Sequence, residues 1–493
     1  MLHRAALQDF VKTKMRATRV VVVSNRQPYM HVYDGDRVIW RRPAGGLVVA
    51  LDPVLRVAKG SWVATGQTPA DRIVVDAEGR VRVPPEDPQY TLRRVFLSKE
   101  QEEGYYHGFG NEVLWPLCHT AFVRPDFRAS DWQHYQAVNQ IMSDAALKEA
   151  GQGRAFIWTQ DFHLALLPRF LKQARPDVSV AHFWHTPWPT PEVFRICPWR
   201  RELLEGMLGS DLLGFHIRYH CDNFLATVAN ELEAKIIAEQ SAVQYRGRTT
   251  VVKPFPISID YHRIVQDLES SEVEEETRRI DRLLGRRPEF LAVGVDRIDY
   301  TKGLVERLHA IDRFLERYPH YVGRFVYLGI GAPSRIHIPA YKELRGDIAQ
   351  RVEEINWKYG TETWQPVILL DHQVSYPRVL AYLAMADVCL VTALHDGMNL
   401  VGKEFIAAQQ GEKPGVLILS RFTGAARELA EALPINPYDI EGTAEAIRQA
   451  LEMPQEERGR RCRWLQEQIQ DHDIYRWALD MLNEVRRIRR GRL

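Results

Sequence analysis

Residues 388–409 constrain this chain more than any other stretch. A short apolar run, V-C-L-V-T-A, gives way to L-H-D-G-M-N-L-V-G-K-E-F-I-A-A-Q. Strand formers, then the Asp396-Gly397 turn, then a helical segment from about Met398 make one unit of a parallel α/β sheet. The first turn of such a helix has unpaired N–H groups and the positive end of the dipole, so an anion settles there without needing a lysine. Asp396 lies at the mouth of that corner, and Glu404 is one and a half turns into the helix. Taken alone, the stretch fits an ordinary strand–helix junction equally well.

The same alternation recurs through the chain. Residues 20–24 (V-V-V-V-S), 155–159, 179–184 and 212–215 read as buried parallel strands in the first half, and residues 291–295, 325–330, 367–370, 388–393 and 415–420 in the second. At 493 residues the chain exceeds one ordinary core. The pattern breaks at Pro254-Phe255-Pro256, before a charged helical segment at 270–287. The expected fold class is therefore α/β, with two Rossmann-like, doubly wound parallel sheets facing a cleft. The expected domains are 1–257, 258–465 and a closing helix at 466–493 that packs back toward the first. No G-x-G-x-x-G follows residues 20–24, so the dinucleotide fingerprint is absent.

Composition removes several function classes. The 65 basic and 64 acidic side chains nearly cancel, to a net charge of +1, which argues against nucleic acid as a partner. Five scattered cysteines with no C-x-x-C spacing argue against a disulfide framework or a zinc site, and fit a reducing cytoplasm. No apolar run approaches a membrane-spanning length. The basic first 19 residues lack an apolar signal core and read as a surface helix or a frayed leader.

Ligands of open α/β sheets bind beyond the carboxyl ends of the strands, and candidate residues gather there. Asn25-Arg26 follows the first strand, and Gly45-Gly46 opens a helix where backbone N–H groups can approach a phosphate. Tyr105, Tyr106, Phe109 and Trp115 fit either core or the stacking of a sugar ring. Asp161 and His185 stand at strand exits, where a structural histidine is the usual alternative. Arg297 and Lys302, five residues apart beyond another strand, suit a diphosphate or pair with Asp296 and Asp299. Arg335 follows a further strand.

In combination the motifs S-N-R (24–26), A-G-G-L (44–47), Y-Y and L-W-P (105–116), H-T-P-W-P-T-P-E-V-F (185–194), D-R-I-D-Y-T-K-G-L (296–304), P-S-R (333–335) and H-D-G-M-N-L-V-G-K-E (395–404) are specific. From about residue 19 onward the chain resembles the trehalose-6-phosphate synthase family, retaining glycosyltransferases of the two-Rossmann-domain (GT-B) type. The resemblance implies transfer of glucose from a nucleoside diphosphate glucose, UDP-glucose foremost, to glucose 6-phosphate. It implies that Arg297 and Lys302 hold the diphosphate, helped by backbone at Gly45, Gly46, Met398, Asn399, Leu400 and Val401. Glu404 would take the ribose hydroxyls, and Asp396 and His185 the reacting end of the glucose. Arg26 and Arg335 would clamp the acceptor phosphate, with Tyr106, Trp115 and Asp161 placing that sugar. No cofactor and no metal are expected, the nucleotide sugar being a substrate. Small molecules are the expected partners, without nucleic acid or membrane, and self-association stays open.

Two departures stand out. Gln160-Asp161 occurs where His-Asp is the usual form, and residues 27–42 carry an insert like that of glucosylglycerol-phosphate synthases. Glycerol 3-phosphate as acceptor is accordingly the nearest rival. A pyridoxal-phosphate phosphorylase and a catalytically silent sugar-phosphate sensor stand further off.

Overall fold

The run of four valines forms strand Arg19–Val23, with Val20, Val21, Val22 and Val23 all buried. A strand apolar on both faces must be covered on both, which places it mid-sheet. It pairs in parallel with Ser61–Thr65 on one side and Ala155–Gln160 on the other. In the computed structural model, which describes residues 2–42, 46–284, 287–335 and 337–491, these belong to a ten-stranded sheet. Its core runs Arg248–Pro254, Leu212–Phe215, Ser179–Phe183, Ala155–Gln160, Arg19–Val23, Ser61–Thr65 and Tyr90–Val95, every neighbouring pair parallel. Antiparallel strands close both edges. A second sheet has six strands, all parallel, in the order Val367–Leu370, Phe325–Ala332, Phe290–Arg297, Val388–Val391, Val416–Ser420 and Leu433–Ile435.

The chain divides into two compact units, residues 1–257 with 474–493, and residues 258–473. The last helix, Ile474–Arg490, belongs to the first unit. Its Trp477 stacks on Trp158 at 4.9 Å and meets Phe183 edge-on at 5.2 Å, while Glu484 pairs with Lys253 at 3.0 Å. The expected start of this helix at 466 falls instead inside helix Gln455–Asp471, where Gln466 donates to the carbonyls of Ile406 and Gln409 within the second unit. Near the amino end, Leu2–Lys14 is a helix with Leu7 and Phe10 buried. Arg486 lies over Phe10, so the segment is docked rather than frayed.

Two segments of the first unit depart from a plain sheet. The insert is a hairpin, Met30–Asp34 with Arg37–Arg41, turned by Gly35 at φ +59°. Buried Arg94 anchors its base by pairing with Asp71 at 3.1 Å and donating to Gln27 and to the Tyr29 carbonyl. The stretch at 103–114 is a π-helix, Glu103–Leu114, carrying Tyr105, Tyr106 and Phe109. Gly104 and Gly108 let the adjacent helix approach, since a Cβ at either would lie under 3 Å from His134 or Asp131. The five cysteines are buried and free. Among the described residues no helix is long and apolar enough to cross a membrane.

Candidate active site

In the second unit the site is built on a buried ionic frame. Gly294 in strand Phe290–Arg297 leaves room for the guanidinium of Arg307, which a Cβ would meet at 2.2 Å. Arg307, itself buried, binds Asp296 at 2.6 Å, Thr392 at 2.9 Å and the Tyr327 hydroxyl at 2.9 Å. Three residues beyond Asp296, the fully buried carboxylate of Asp299 accepts the N–H and hydroxyl of Thr301 at 3.0 and 2.9 Å. Its other oxygen takes the Arg335 guanidinium at 3.2 Å and the Tyr341 hydroxyl at 3.1 Å. Burial alone would raise its pKa, but Arg335, Arg297 and Lys302 outweigh it and hold the carboxyl down at about 2. Asp296 is thus taken by Arg307 and Asp299 by Arg335, whereas Lys302 reaches Asp396.

The Lys302 ammonium lies 2.5 Å from the Asp396 carboxylate, and Asn399 approaches the same oxygen at 3.4 Å. Backbone ties fix this corner: Leu394 N–H donates to the Thr301 carbonyl, Asp396 N–H to Phe422 and Ala425 N–H to Met398. Gly424 is required, because a Cβ there would meet the Gly397 carbonyl at 2.1 Å. The helix starts at Leu400, two residues later than expected, since Asn399 takes φ +76° and caps it by accepting the Gly402 N–H at 3.1 Å. Met398 is buried, with Leu400 and Val401 forming the first turn. Glu404 projects half-buried from this helix. Desolvation pushes its pKa up to about 7, only partly opposed by the Tyr376 hydroxyl at 3.5 Å.

In the first unit Arg26, half-buried, follows Ser24, whose hydroxyl donates to the Arg26 carbonyl at 2.7 Å. Three residues expected to place the acceptor sugar, Tyr106, Trp115 and Asp161, converge on one short turn. Tyr106 stacks on His163 at 5.4 Å and 14°, Trp115 packs on Phe162 at 5.9 Å, and Asp161 leads directly into both partners. Asp161 adopts φ +72° and its carboxylate accepts the His185 N–H at 3.2 Å. The His185 ring is held by Gln160 Oε1 at 2.8 Å, and burial with neighbouring His216 and His182 drives its pKa well below the ordinary value. Gly46 begins helix Gly46–Ala58, and Gly45 lies outside the described residues.

Sequence reasoning missed Arg307, the capping side chain of Asn399, and the pairing of Asp299 with Arg335. Two signals were available: a glycine inside a buried strand marks close approach, and Asp-x-Thr before a helix marks a cap. Among the described residues no group of three or more His, Cys, Asp or Glu is arranged to hold a metal ion.

The model of glycosyltransferase family 20 matches residues 18–487. The chain belongs to glycosyltransferase family 20. It is a sugar-transferring enzyme of the trehalose-6-phosphate synthase branch. It is 39% identical over 474 residues to the trehalose-6-phosphate synthase of Mycobacterium leprae, covering 94% of both chains. To the bifunctional trehalose-6-phosphate synthase/phosphatase of Thermoproteus tenax it is 38% identical, over 94% of its own length but 63% of that protein's. Two solved family members are similar throughout. A trehalose-phosphate synthase from Burkholderia xenovorans in complex with glucose-6-phosphate matches at TM-score 0.85 and 31% identity, covering 95% of this chain and 100% of that one. A structure from E. coli bound with UDP-2-fluoro glucose matches at 0.84 and 32%, covering 95% and 99%.

Proposed function

We propose that this chain transfers glucose from UDP-glucose to the anomeric hydroxyl of glucose 6-phosphate, giving α,α-trehalose 6-phosphate and UDP with the donor configuration retained. One observation carries the reading: a lysine and a carboxylate meet at a glycine corner beyond parallel strands, beside a helix start. That combination suits a sugar joined to a diphosphate, the ammonium facing phosphate and the carboxylate facing sugar hydroxyls. The ligands named for the Burkholderia xenovorans and E. coli relatives support the same pair of substrates.

In this reading the acceptor hydroxyl oxygen bonds to the glucose anomeric carbon while the bond from that carbon to the diphosphate oxygen breaks. The hydroxyl proton passes to the departing diphosphate on the same face, so no enzymic nucleophile is needed. Arg297 and Lys302 neutralise charge growing on the leaving group, an interaction that strengthens toward the transition state. Asp396 and His185 orient the glucose, and Glu404 takes the ribose hydroxyls. Backbone at Gly45, Gly46 and 398–401 faces the diphosphate. Arg26 and Arg335 bind the acceptor phosphate, and Tyr106, Trp115 and Asp161 place its ring. These two cations and the backbone supply the charge, so no metal is called on. The enzyme works in the cytoplasm, where its five buried thiols stay reduced.

Glycerol 3-phosphate as acceptor has one observation in its favour, the anchored hairpin that follows Arg26. Incubation with UDP-, GDP- and ADP-glucose against glucose 6-phosphate, glucose and glycerol 3-phosphate decides between them. Product is expected from UDP-glucose with glucose 6-phosphate, its two α linkages read by proton NMR. Glycosylation of glycerol 3-phosphate alone would sink the proposal.

A further inference from the structure

Gln160 ends strand Ala155–Gln160 and is completely buried; its register partner Phe183 ends the neighbouring parallel strand, two residues before His185. Everything around His185 is pinned. Its backbone N–H goes to Asp161, its carbonyl accepts from His216 Nε2 at 3.0 Å, and the Phe183 ring meets the imidazole edge-on at 4.6 Å. Asp161 is held in turn by its own N–H, which donates to the Phe183 carbonyl at 2.7 Å. The ring's Nε2 lies 2.8 Å from Gln160 Oε1, and among the described residues no hydrogen bond engages Nδ1.

We propose that Gln160 is a positioning residue that fixes His185 as a neutral imidazole, donating Nε2–H back to the Gln160 amide and presenting the Nδ1 lone pair to a hydroxyl of the sugar donor. The identity of that sugar rests on the reading above; the state of the ring does not. Which imidazole nitrogen carries the proton is set by the hydrogen bond at the other end of the ring. With its oxygen toward the ring, the Gln160 amide accepts and does not titrate, so of the two neutral tautomers it selects Nε2–H, while burial beside His216 and His182 opposes a second proton. A histidine at position 160 would instead face His185 as a second titratable ring, able either to donate or to accept. The titratable groups facing His185 are Asp161, from the turn after its own strand, His216, from the loop after Leu212–Phe215, and His182, from strand Ser179–Phe183. Both histidines oppose positive charge on the ring, as does burial, and only Asp161 favours it. His185 therefore acts as a hydroxyl acceptor and not as a proton donor.

The test is nitrogen-15 NMR of the full-length protein labelled at its 17 histidines, with the His185 signal assigned by its loss in His185→Ala. A neutral Nε2–H pattern is expected, unchanged from about pH 6 to 8 around the ordinary histidine pKa. Gln160→Glu places a carboxylate against Nε2, which favours imidazolium. It should show a protonated His185 at neutral pH and a turnover lowered by about ten-fold, rising again as pH rises, with the glucose 6-phosphate KM unchanged. An Nδ1–H or protonated ring in the parent protein overturns the proposal, as does a Gln160→Glu variant with parental spectrum and rate. Should that variant not fold, the parental spectrum alone decides. Because the spectrum is recorded without substrate, a wrong acceptor and a wrong ring state give separate failures.

Discussion

In the second unit the frame of the candidate site is tied by charge: Lys302, assigned to the donor, pairs with Asp396, Arg335, assigned to the acceptor phosphate, with Asp299, and Arg307 with Asp296. In the first unit the residues assigned to the acceptor and to the glucose are held mainly by neutral means. His185 rests on an amide, Tyr106 on the His163 ring and Trp115 on Phe162. A charged frame exchanges partners when an anion arrives, because a phosphate competes directly for the same cations. A frame of stacked rings and amide hydrogen bonds offers a phosphate little to compete for. On the proposed reading, the contrast gives response to an arriving anion to the second unit and shape selection to the first.

The hardest test of that contrast is Lys302→Ala. On the proposed mechanism it removes a group whose contact grows in the transition state, so kcat should fall by about 10²–10³. Glucose 6-phosphate binding, followed by calorimetry, should stay nearly unchanged. A normal rate would refute the diphosphate role. Next in size is Asp299→Ala, which strands the buried Arg335 guanidinium and should cost about 3 kcal/mol of stability in urea unfolding of the intact chain. The sign with pH follows from a folded pKa near 2 against about 4 in the unfolded chain. Its stabilisation, about 2 kcal/mol, is complete above pH 4 and is lost between pH 4 and 2. Asp299→Asn should flatten that loss, and unchanged acid sensitivity would place the ionic frame elsewhere.

Glu404 runs the other way. Its folded carboxyl titrates at about 7, above the unfolded value, so the folded chain binds the extra proton and gains nothing from ionisation. Ribose hydroxyls call for the ionised form. The KM for UDP-glucose should therefore fall about ten-fold from pH 6 to 8 and then level off. Steady-state kinetics across that range checks it, and Glu404→Gln should remove the dependence. The smallest effect is expected in the neutral half: Tyr106→Phe keeps the stack on His163 and should change the acceptor KM by no more than about five-fold, one hydrogen bond's worth. A larger change there, or a steep pH dependence of that KM, would break the comparison.

Much of this was legible in the sequence because burial writes itself locally. Four consecutive valines can only be a strand covered on both faces, and the Asp-Gly-Met-Asn turn announces a strand–helix corner. Pairing is not local. Arg297 and Lys302 could be seen beside Asp296 and Asp299, but the partners those carboxylates take, Arg307 and Arg335, come from a following helix and another strand exit. Likewise the glycines of Glu103–Leu114 lower helix propensity and hide the helix that forms there. They are there so that Asp131 and His134 can come close. The Gln160 departure was visible, but its use as the rest for a ring from the adjacent strand needed the register of that pair.

The closing helix has a consequence for how the molecule is made. With residues 474–493 belonging to the first unit, the second unit is an uninterrupted segment inserted into the first. On the ribosome, residues 258–473 can complete their fold as soon as they emerge. The first unit must wait for Trp477 to cover Trp158 and Phe183. Until then those rings stay bare, so the half of the molecule made first is the half finished last. A released chain ending at Asp473 should expose them to chaperones and proteases while its second unit already resists both.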